Sequence, residues 1–194
     1  MPPLSAAQAA QLAAGALRDT LRVTQHVPAE HRLLAFEGEL SGWLPAGWRS
    51  CRQPDGGLDR RLAAAFLAAG PGPALLVGMD TPQLRGEQLT AFDTEQYDAC
   101  LGMSSDGGYW TIGLSDPRLA PSAILGVAMS TAHTGADQLC RLHGLGLRVQ
   151  ILDELRDVDT IEDAAEVAAL IPESAFAAAF ALARSQDSMA GALG

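Results

Sequence analysis

The chain has 194 residues, of which 48% are hydrophobic and 19% are charged, and its formal net charge is −10. This length and apolar content predict one globular domain, and the acidic balance argues against nucleic acid and anionic membranes, which both bind cationic surfaces. No apolar run approaches the roughly 20 residues that a membrane-spanning helix needs, and no basic start precedes an apolar segment as in a secretory signal. We therefore expect a cytoplasmic protein.

Composition also excludes several kinds of site. All 13 basic residues are arginine, and the chain contains neither lysine nor asparagine. The absence of lysine rules out a lysine Schiff base and a phosphate-binding loop of the Walker type. Any phosphate recognition must then use arginine, backbone N–H groups or a metal ion. The three cysteines are widely spaced, which predicts buried thiols and not a disulfide framework or a zinc site.

The hydrophobic periodicity predicts helices and strands that alternate along most of the chain. Helices are predicted over residues 6–24, 58–69, 87–92, 134–145, 160–170 and 174–185. Strands are predicted over residues 31–36, 49–52, 74–79, 98–102, 109–114 and 148–152. The strands lack polar alternation, a pattern typical of strands that are covered on both faces. The sequence therefore predicts an α/β fold with a mostly parallel sheet, in a single domain over residues 1–185 with a flexible tail over residues 186–194.

Two of the predicted helices carry start signals in the sequence. Ser5 and Gln8 have the spacing of a capping box before the first helix. Thr160 and Asp163 have the same spacing before the helix predicted over residues 160–170.

Asp80 stands directly after an apolar strand, in the segment Gly78-Met79-Asp80-Thr81-Pro82. Ligands of open parallel sheets bind outside the carboxyl ends of the strands. A carboxylate at that position can hold Mg²⁺ or Mn²⁺ against the phosphates of a substrate. The alternative is a local role, as a helix cap or an Asx turn before Pro82.

Asp157 and Asp159 lie in a connection from a strand to a helix. Alternate residues of an extended chain point the same way, so the two carboxylates can share one side. One of them could complete a metal site with Asp80. The alternative is that Asp159 or Thr160 caps the helix, where the helix dipole favours an acidic residue.

A glycine-containing turn, Asp106-Gly107-Gly108, precedes the strand that starts with Tyr109 and Trp110. The two glycines allow positive φ angles and a close approach of the backbone to a ligand. Tyr109 and Trp110 could supply a stacking face. The alternative is an ordinary tight turn that leads into a core strand.

Ser130 and Thr131 belong to a polar segment just before the helix predicted over residues 134–145. A helix N-terminus with neighbouring hydroxyl groups can bind an anion. The alternative is a simple helix cap.

Taken in order, these motifs resemble a bacterial family of GT-A-type, glycosyltransferase-like proteins within the nucleotide-diphospho-sugar transferase superfamily. The matching motifs are Gly78-Met79-Asp80-Thr81-Pro82, Asp106-Gly107-Gly108-Tyr109-Trp110, Ser130-Thr131 and Asp157-Val158-Asp159-Thr160. Each motif is weak alone, but all four occur in order over nearly the whole chain. Some family members are named arsenosugar-biosynthesis glycosyltransferases, and the family is similar to sugar-nucleotide and molybdopterin nucleotidyltransferases. The resemblance implies a Rossmann-like fold that binds a nucleotide diphosphate and a divalent metal.

The resemblance also implies roles for individual residues. Asp80 would be the metal carboxylate, with Asp159 or Asp157 as the second, and the metal would be Mg²⁺ or Mn²⁺. Asp80, Asp106 and Asp159 would carry the catalysis. The residues expected around the nucleotide, the sugar or the acceptor are Gln53, Gly56, Gly57, Asp106, Gly107, Gly108, Tyr109, Ser130 and Thr131.

The chain departs from the family pattern at its start. Family members begin with a strand and a loop of the form K-x-P-x-x-G-x-V-K-T-R-L, which would wrap the nucleotide phosphates. This sequence begins after the corresponding point, so we expect the first strand of the Rossmann-like sheet to be missing and a gap to remain. The gap would favour a homodimer or the addition of a strand from a partner.

The resemblance predicts a metal-dependent transferase that acts on a nucleotide-activated donor and a small-molecule acceptor. Glycosyl transfer from a nucleotide-sugar is the first hypothesis. Nucleotidyl transfer from an NTP to a phosphorylated acceptor needs the same carboxylates and stays open. A non-catalytic family member that acts as a binding or partner protein is the third hypothesis. If Asp80 holds the metal, Asp80→Ala abolishes metal-linked nucleotide binding and leaves the fold intact.

Overall fold

The computed structural model describes residues 4–39 and 42–191, with side chains through residue 186. Within these ranges the strands are β1 (Arg32–Phe36), β2 (Trp48–Arg52), β3 (Ala74–Val77), β4 (Ala99–Ser104), β5 (Tyr109–Leu114) and β6 (Val149–Leu155). The helices are α1 (Ala6–His26), α2 (Leu58–Ala69), α3 (Gly86–Leu89), α4 (Ala120–Ile124), α5 (Thr134–Gly144), α6 (Ile161–Leu170) and α7 (Ala175–Gly191). None of these helices combines the length and apolar character that a membrane crossing requires.

Every predicted helix and strand is present, and the differences concern ends and one short segment. α7 continues through Gly191, six residues past its predicted end at residue 185. β6 continues to Leu155, three residues past its predicted end, and so reaches close to Asp157. α4 and the 3-10 turn before it, Pro117–Leu119, were not predicted, because two prolines interrupt any helical pattern there.

The strands form two sheets. β1 and β2 pair in parallel, and the other four strands have the order β3-β5-β4-β6. β4 and β6 are parallel, whereas β5 is antiparallel to both of its neighbours, β3 and β4. The α/β, Rossmann-like class is confirmed. The sheet was predicted to be mostly parallel, whereas the larger sheet is mixed: three strands share one direction, and the opposed β5 makes two of its three strand pairs antiparallel. β5 is reversed because only a tight turn separates it from β4, and a tight turn joins antiparallel strands.

Helices cover both faces of the larger sheet. On one face, α2, α4 and α5 bury a core that includes Phe66, Leu101, Ile112, Ile124 and Leu142. On the other face, Trp110, Cys100 and Leu152 pack with residues of α1 and α3 and with Leu75 and Val77 of β3. Since both faces are covered, the ligand-accessible part of this sheet is the rim formed by its strand ends.

A third cluster joins α1, α6 and α7. Asp19 of α1 is only 2% exposed, and its carboxylate accepts hydrogen bonds from the backbone N–H groups of Ala175 (3.2 Å) and Phe176 (2.8 Å). Gly15, one turn earlier, lies so close to α7 that a Cβ there would be 3.0 Å from the carbonyl oxygen of Ala175. A buried carboxylate on one helix therefore caps the start of another.

Candidate functional site

A cavity of about 520 Å³ opens at the carboxyl ends of β3, β4 and β6. It brings together most of the residues that the sequence singled out. Those in its lining are Asp80, Asp106, Gly108, Tyr109, Ser130, Thr131, Asp157 and Asp159. The structure thus brings these segments together at one edge of the larger sheet.

Backbone pairing explains why the segments after β3, β4 and β6 converge. β4 and β6 end side by side, and the N–H of Ser105 donates to the carbonyl oxygen of Leu155 (3.1 Å). The next residues of each chain segment then meet, and the Ser105 hydroxyl donates to Asp157 (3.2 Å). The N–H of Val158 donates to the carbonyl oxygen of Asp80 (2.9 Å), which ties the third segment to the other two.

Three of the aspartates form a compact group, which we call the aspartate cluster: Asp106, Asp157 and Asp159. Each offers a carboxylate oxygen, and these oxygens lie within 4.8 Å of one another. Over residues 4–39 and 42–186 it is the one group of three or more acidic, histidine or cysteine side chains with that spacing. Carboxylate oxygens are the ligands that Mg²⁺ and Mn²⁺ prefer. Asp80, expected as the metal carboxylate, also lines the cavity but is not a member of the aspartate cluster.

Three of the four carboxylates at the rim, those of Asp80, Asp157 and Asp159, have raised pKa values. Burial is the largest cause for each of the three, and the charges of neighbouring aspartates add to it. Burial and the charges of Asp106 and Asp159 raise the pKa of Asp157 to about 6. Burial and the charges of Asp159 and Asp106 raise the pKa of Asp80, and burial, Asp106 and Asp163 raise that of Asp159. No arginine or histidine is among the described residues that line the cavity, so a bound cation would relieve this repulsion.

The turn that carries Asp106 is held rigidly against the start of α5. Asp106 accepts hydrogen bonds from the Ser104 hydroxyl (3.0 Å) and from the N–H of Gly108 (2.6 Å). Gly107 has a φ of +89°, and a Cβ there would lie 2.1 Å from the carbonyl oxygen of Ala132. The N–H of Gly135 donates to the carbonyl oxygen of Gly107 (2.8 Å). The turn thus needs glycine for both its backbone conformation and its packing.

Thr134, the first residue of α5, organises the segment that contains Ser130 and Thr131. Its hydroxyl donates to the carbonyl oxygen of Ala128 (3.0 Å) and accepts from the N–H of Thr131 (3.0 Å). Ser130 adopts a φ of 57°, a left-handed conformation that is uncommon for a residue with a side chain. The hydroxyl of Thr131 accepts a hydrogen bond from the N–H of His133 (3.2 Å), so this side chain also stabilises the conformation of the loop.

Sequence reasoning missed most of the apolar side of the cavity and one hydroxyl group. We call this side the apolar wall: Leu58, Leu62, Leu76, Tyr109 and Met129, of which only Tyr109 was predicted. The leucines have the pattern of ordinary core residues, and only the placement of α2 beside β3 brings them to the cavity. Thr81 also lines the cavity and is 1% exposed, and its hydroxyl has no hydrogen-bond partner among the described residues. The one sequence signal for Thr81 as a cavity residue was its position next to Asp80.

Comparison with known proteins identifies the family. The model of the family described as "Uncharacterized protein conserved in bacteria (DUF2064)" matches residues 8–131. The chain belongs to this family. The matched part of the DUF2064 chain includes Asp80 and Asp106, whereas Asp157 and Asp159 follow it. A search of curated proteins found no match.

A solved structure resembles the DUF2064 chain over most of its length. It is the "putative nucleotide-diphospho-sugar transferase" from Desulfovibrio desulfuricans G20. The two share 25% sequence identity and a TM-score of 0.78, and the match covers 93% of this chain and 84% of that one. Together with the family match, this likeness confirms the GT-A-like family that the motifs predicted.

Four predicted binding residues of the DUF2064 chain lie outside the lining of the cavity: Gln53, Gly56, Gly57 and Gly107. The Gln53 side chain donates to the carbonyl oxygen of Ala35 (3.1 Å) and accepts from Arg61 (3.4 Å), so it connects β1 to α2. Gly57 is the N-cap residue of α2. The next residue, Leu58, does line the cavity, so this segment contributes through its leucine.

Proposed function

We propose that this DUF2064 protein transfers a glycosyl unit from a nucleotide-sugar to a small-molecule acceptor. The observation that carries the proposal is the aspartate cluster in a cavity at the carboxyl ends of three strands that share one direction. The likeness to a structure with "nucleotide-diphospho-sugar transferase" in its description supports the same class of donor. Mg²⁺ or Mn²⁺ is the proposed cofactor.

The side chains present fit such a cation. The aspartate cluster supplies oxygen ligands only, and its mutual repulsion favours a bound positive charge. A bound Mg²⁺ or Mn²⁺ would neutralise negative charge on the departing diphosphate. Because the described lining holds no cationic side chain, a diphosphate would be repelled from this cavity unless a metal ion accompanied it.

Polar groups on the protein can hold the remaining parts of the donor. The Ser130 hydroxyl stands at the cavity beside the start of α5, where the helix dipole favours anions. The Thr81 hydroxyl is buried and has no partner within the described chain, a condition that raises the free energy of the folded protein. A ligand oxygen in the cavity would satisfy it.

Asp80 has the properties of the proton acceptor in this reaction. An acceptor hydroxyl would form a bond from its oxygen to the anomeric carbon of the sugar, while the bond from that carbon to the phosphate oxygen breaks. The leaving nucleoside diphosphate keeps the electron pair of the broken bond, and Asp80 takes the hydroxyl proton. Its raised pKa favours this role, since a carboxylate that is easier to protonate is a better base.

A thermal-shift panel tests the proposed function. UDP-, GDP- and ADP-sugars and the four NTPs are each added with and without Mn²⁺, and a ligand at 100 times its Kd is expected to add about 2.7 kcal/mol of stability. We expect a shift with one nucleotide-sugar that requires Mn²⁺. Asp159→Asn should abolish it, and Asp55→Asn, at an exposed aspartate outside the cavity, should not.

The other outcomes are distinct. Absence of any Mn²⁺-dependent shift contradicts the transferase proposal and favours a binding protein. A shift with an NTP, followed by pyrophosphate release in the presence of a sugar phosphate, replaces glycosyl transfer by nucleotidyl transfer. Asp80→Asn should keep Mn²⁺ binding and lose turnover, whereas loss of Mn²⁺ binding in this variant would return Asp80 to the metal ligands.

A further inference from the structure

The cavity lining contains two chemically different groups of side chains, the four carboxylates and the apolar wall. Leu58 and Leu62 lie four residues apart on α2, so they present side chains on the same face of that helix. Leu76 comes from β3, Tyr109 from β5, and Met129 from the segment before α5. A helix, two strands of the larger sheet and the segment before α5 therefore contribute to one apolar surface.

The apolar wall is rigid on its inner side and open at its outer end. Leu62, Leu76, Tyr109 and Met129 all pack against the same hydrophobic core cluster. Leu58 is not part of that cluster, and 45% of its surface is exposed. An exposed leucine at the first turn of a helix, next to a cavity, gains stability when an apolar ligand covers it.

The apolar wall offers no free polar side chain. Its single hydroxyl, on Tyr109, lies 3.5 Å from the amide oxygen of Gln138 and 3.7 Å from the sulfur of Met129. A nucleobase placed here would leave the polar atoms of its edge without side-chain partners, an arrangement that lowers affinity. A hydrocarbon or plain aromatic group has no such atoms and fits the wall better.

We infer that the acceptor carries an uncharged apolar group, aliphatic or aromatic, which packs against the apolar wall while its hydroxyl faces the carboxylates. That this ligand is the acceptor rests on the proposed function. That the ligand is apolar rests on the lining of the cavity alone. The wall would thus select the acceptor by its hydrocarbon part, leaving the sugar and the diphosphate to the polar side.

Binding of a homologous series of alcohols tests this inference without any need for turnover. 1-Butanol, 1-hexanol and 1-octanol are titrated into the ¹⁵N-labelled protein with Mn²⁺ replaced by diamagnetic Mg²⁺, and amide shifts are followed. We expect changes at Leu58, Gly78 and Thr131, and a Kd that falls about two- to fourfold for each added methylene group. Glycerol, which is polar throughout, should not cause these changes.

Two leucines of α2 give a matched pair of variants. Leu58→Gln should reduce the gain in affinity per methylene group by at least half. Leu67→Gln changes a similarly exposed leucine of the same helix that does not line the cavity, and it should leave the gain in affinity per methylene group unchanged. Equal effects of the two variants, or the absence of a chain-length dependence in the wild-type protein, would overturn the inference.

The outcomes also separate this inference from the proposed function. Alcohol binding without any nucleotide binding would keep the apolar site and contradict the transferase proposal. Nucleotide binding without alcohol binding would keep the transferase proposal and overturn the apolar site. If UDP in the presence of Mg²⁺ displaces the alcohols competitively, the wall binds the nucleobase of the donor, and its assignment to the acceptor is overturned.

Discussion

Aspartates have opposite surroundings in two regions of the molecule. One region is the layer formed by α1, α6 and α7, and the other is the rim of the larger sheet. In the helical layer, Asp19 is surrounded by donors: two backbone N–H groups of α7, with Arg22 at 3.7 Å. At the rim, the carboxylates of the aspartate cluster and Asp80 face one another, and the described lining contains no arginine or histidine.

The contrast separates carboxylates that stabilise the folded chain from carboxylates that destabilise it when no ligand is bound. A carboxylate with hydrogen-bond donors lowers the free energy of the folded state. Carboxylates that face one another raise it, because burial and repulsion favour protonation and not charge. A proton or a bound cation stabilises a group of this second kind, and such perturbed groups concentrate at functional sites. Asp19 and Asp157 are the clearest representatives of the two kinds.

The largest effect is expected at the rim itself, from Gly107→Ala. The new Cβ would meet the carbonyl oxygen of Ala132 at 2.1 Å, and the positive φ adds strain, so the variant should lose about 2–4 kcal/mol of stability. Thermal unfolding measures the loss. Gly144→Ala is the control, because nothing lies within 4 Å of a Cβ there and the residue is helical. Equal melting temperatures for the two variants would show that the turn is not packed against α5.

Asp19→Ala is expected to have the next largest effect, and on stability alone. It leaves two backbone N–H groups at the start of α7 without their acceptor, which should cost about 2–3 kcal/mol in urea unfolding. Asp19→Asn keeps one oxygen acceptor and should lose less. The temperature shift produced by Mn²⁺ should be the same as in the wild-type protein. A reduced Mn²⁺ shift would break the distinction between the two regions.

The response to Mn²⁺ should depend on pH through the aspartate cluster. At ten times its Kd, Mn²⁺ should add about 1.4 kcal/mol, or roughly 3–6 °C in Tm, at pH 7.5. The pKa of Asp157 is raised to about 6, so this shift should diminish as the pH falls through 6, because the protonated acid is a poor ligand. A shift of constant size from pH 5 to pH 7.5 would remove Asp157 from the metal site.

Without metal, Asp157 and Asp98 should change the free energy of unfolding with pH in opposite directions and in different pH ranges. Asp157 has a higher pKa in the folded chain than in the unfolded one, so its contribution to stability falls as the pH rises from about 4 to 6. Hydrogen bonds from Arg148 lower the pKa of Asp98 to about 2, so its contribution rises between pH 2 and 4. Unfolding measured from pH 2 to pH 7 should show both slopes.

The smallest effect is expected from Asp157→Asn in the absence of metal. Removing one of the facing charges should raise Tm at pH 7.5 by about 1–3 °C, since solvent screens a half-buried carboxylate. The fall in stability between pH 4 and 6 should become shallower. A decrease in Tm at pH 7.5 would show that the hydrogen bond from Ser105 outweighs the repulsion.

The elements of this fold could be predicted because their signals are local. The Ser5–Gln8 and Thr160–Asp163 capping boxes both form, with each side chain bonded to the backbone of the other residue. The range predicted for α2, residues 58–69, agrees with the structure at both ends. Glycines and prolines between apolar segments mark the remaining boundaries, because they act within a few residues. The segment of α4 was missed, since its prolines give no helical pattern.

The candidate site could be predicted only in part. Its acidic residues follow strands, and the ends of parallel strands meet, so Asp80, Asp157 and Asp159 could be assigned to one edge from the sequence. That Asp106 completes the aspartate cluster depends on the register of β4 against β6, which places Ser104 opposite Leu155. Register joins residues about 50 positions apart, and no local signal encodes it.

The sequence by itself determined the α/β class, the alternation of elements and the acidic strand ends, because helix periodicity, caps and turns are properties of neighbouring residues. The tertiary structure alone decided which carboxylates face one another, that α2 turns two leucines toward the same cavity, and that Asp19 caps a helix more than 150 residues away. These features arise when distant segments pack together, and packing depends on the whole set of side chains that must share one interior.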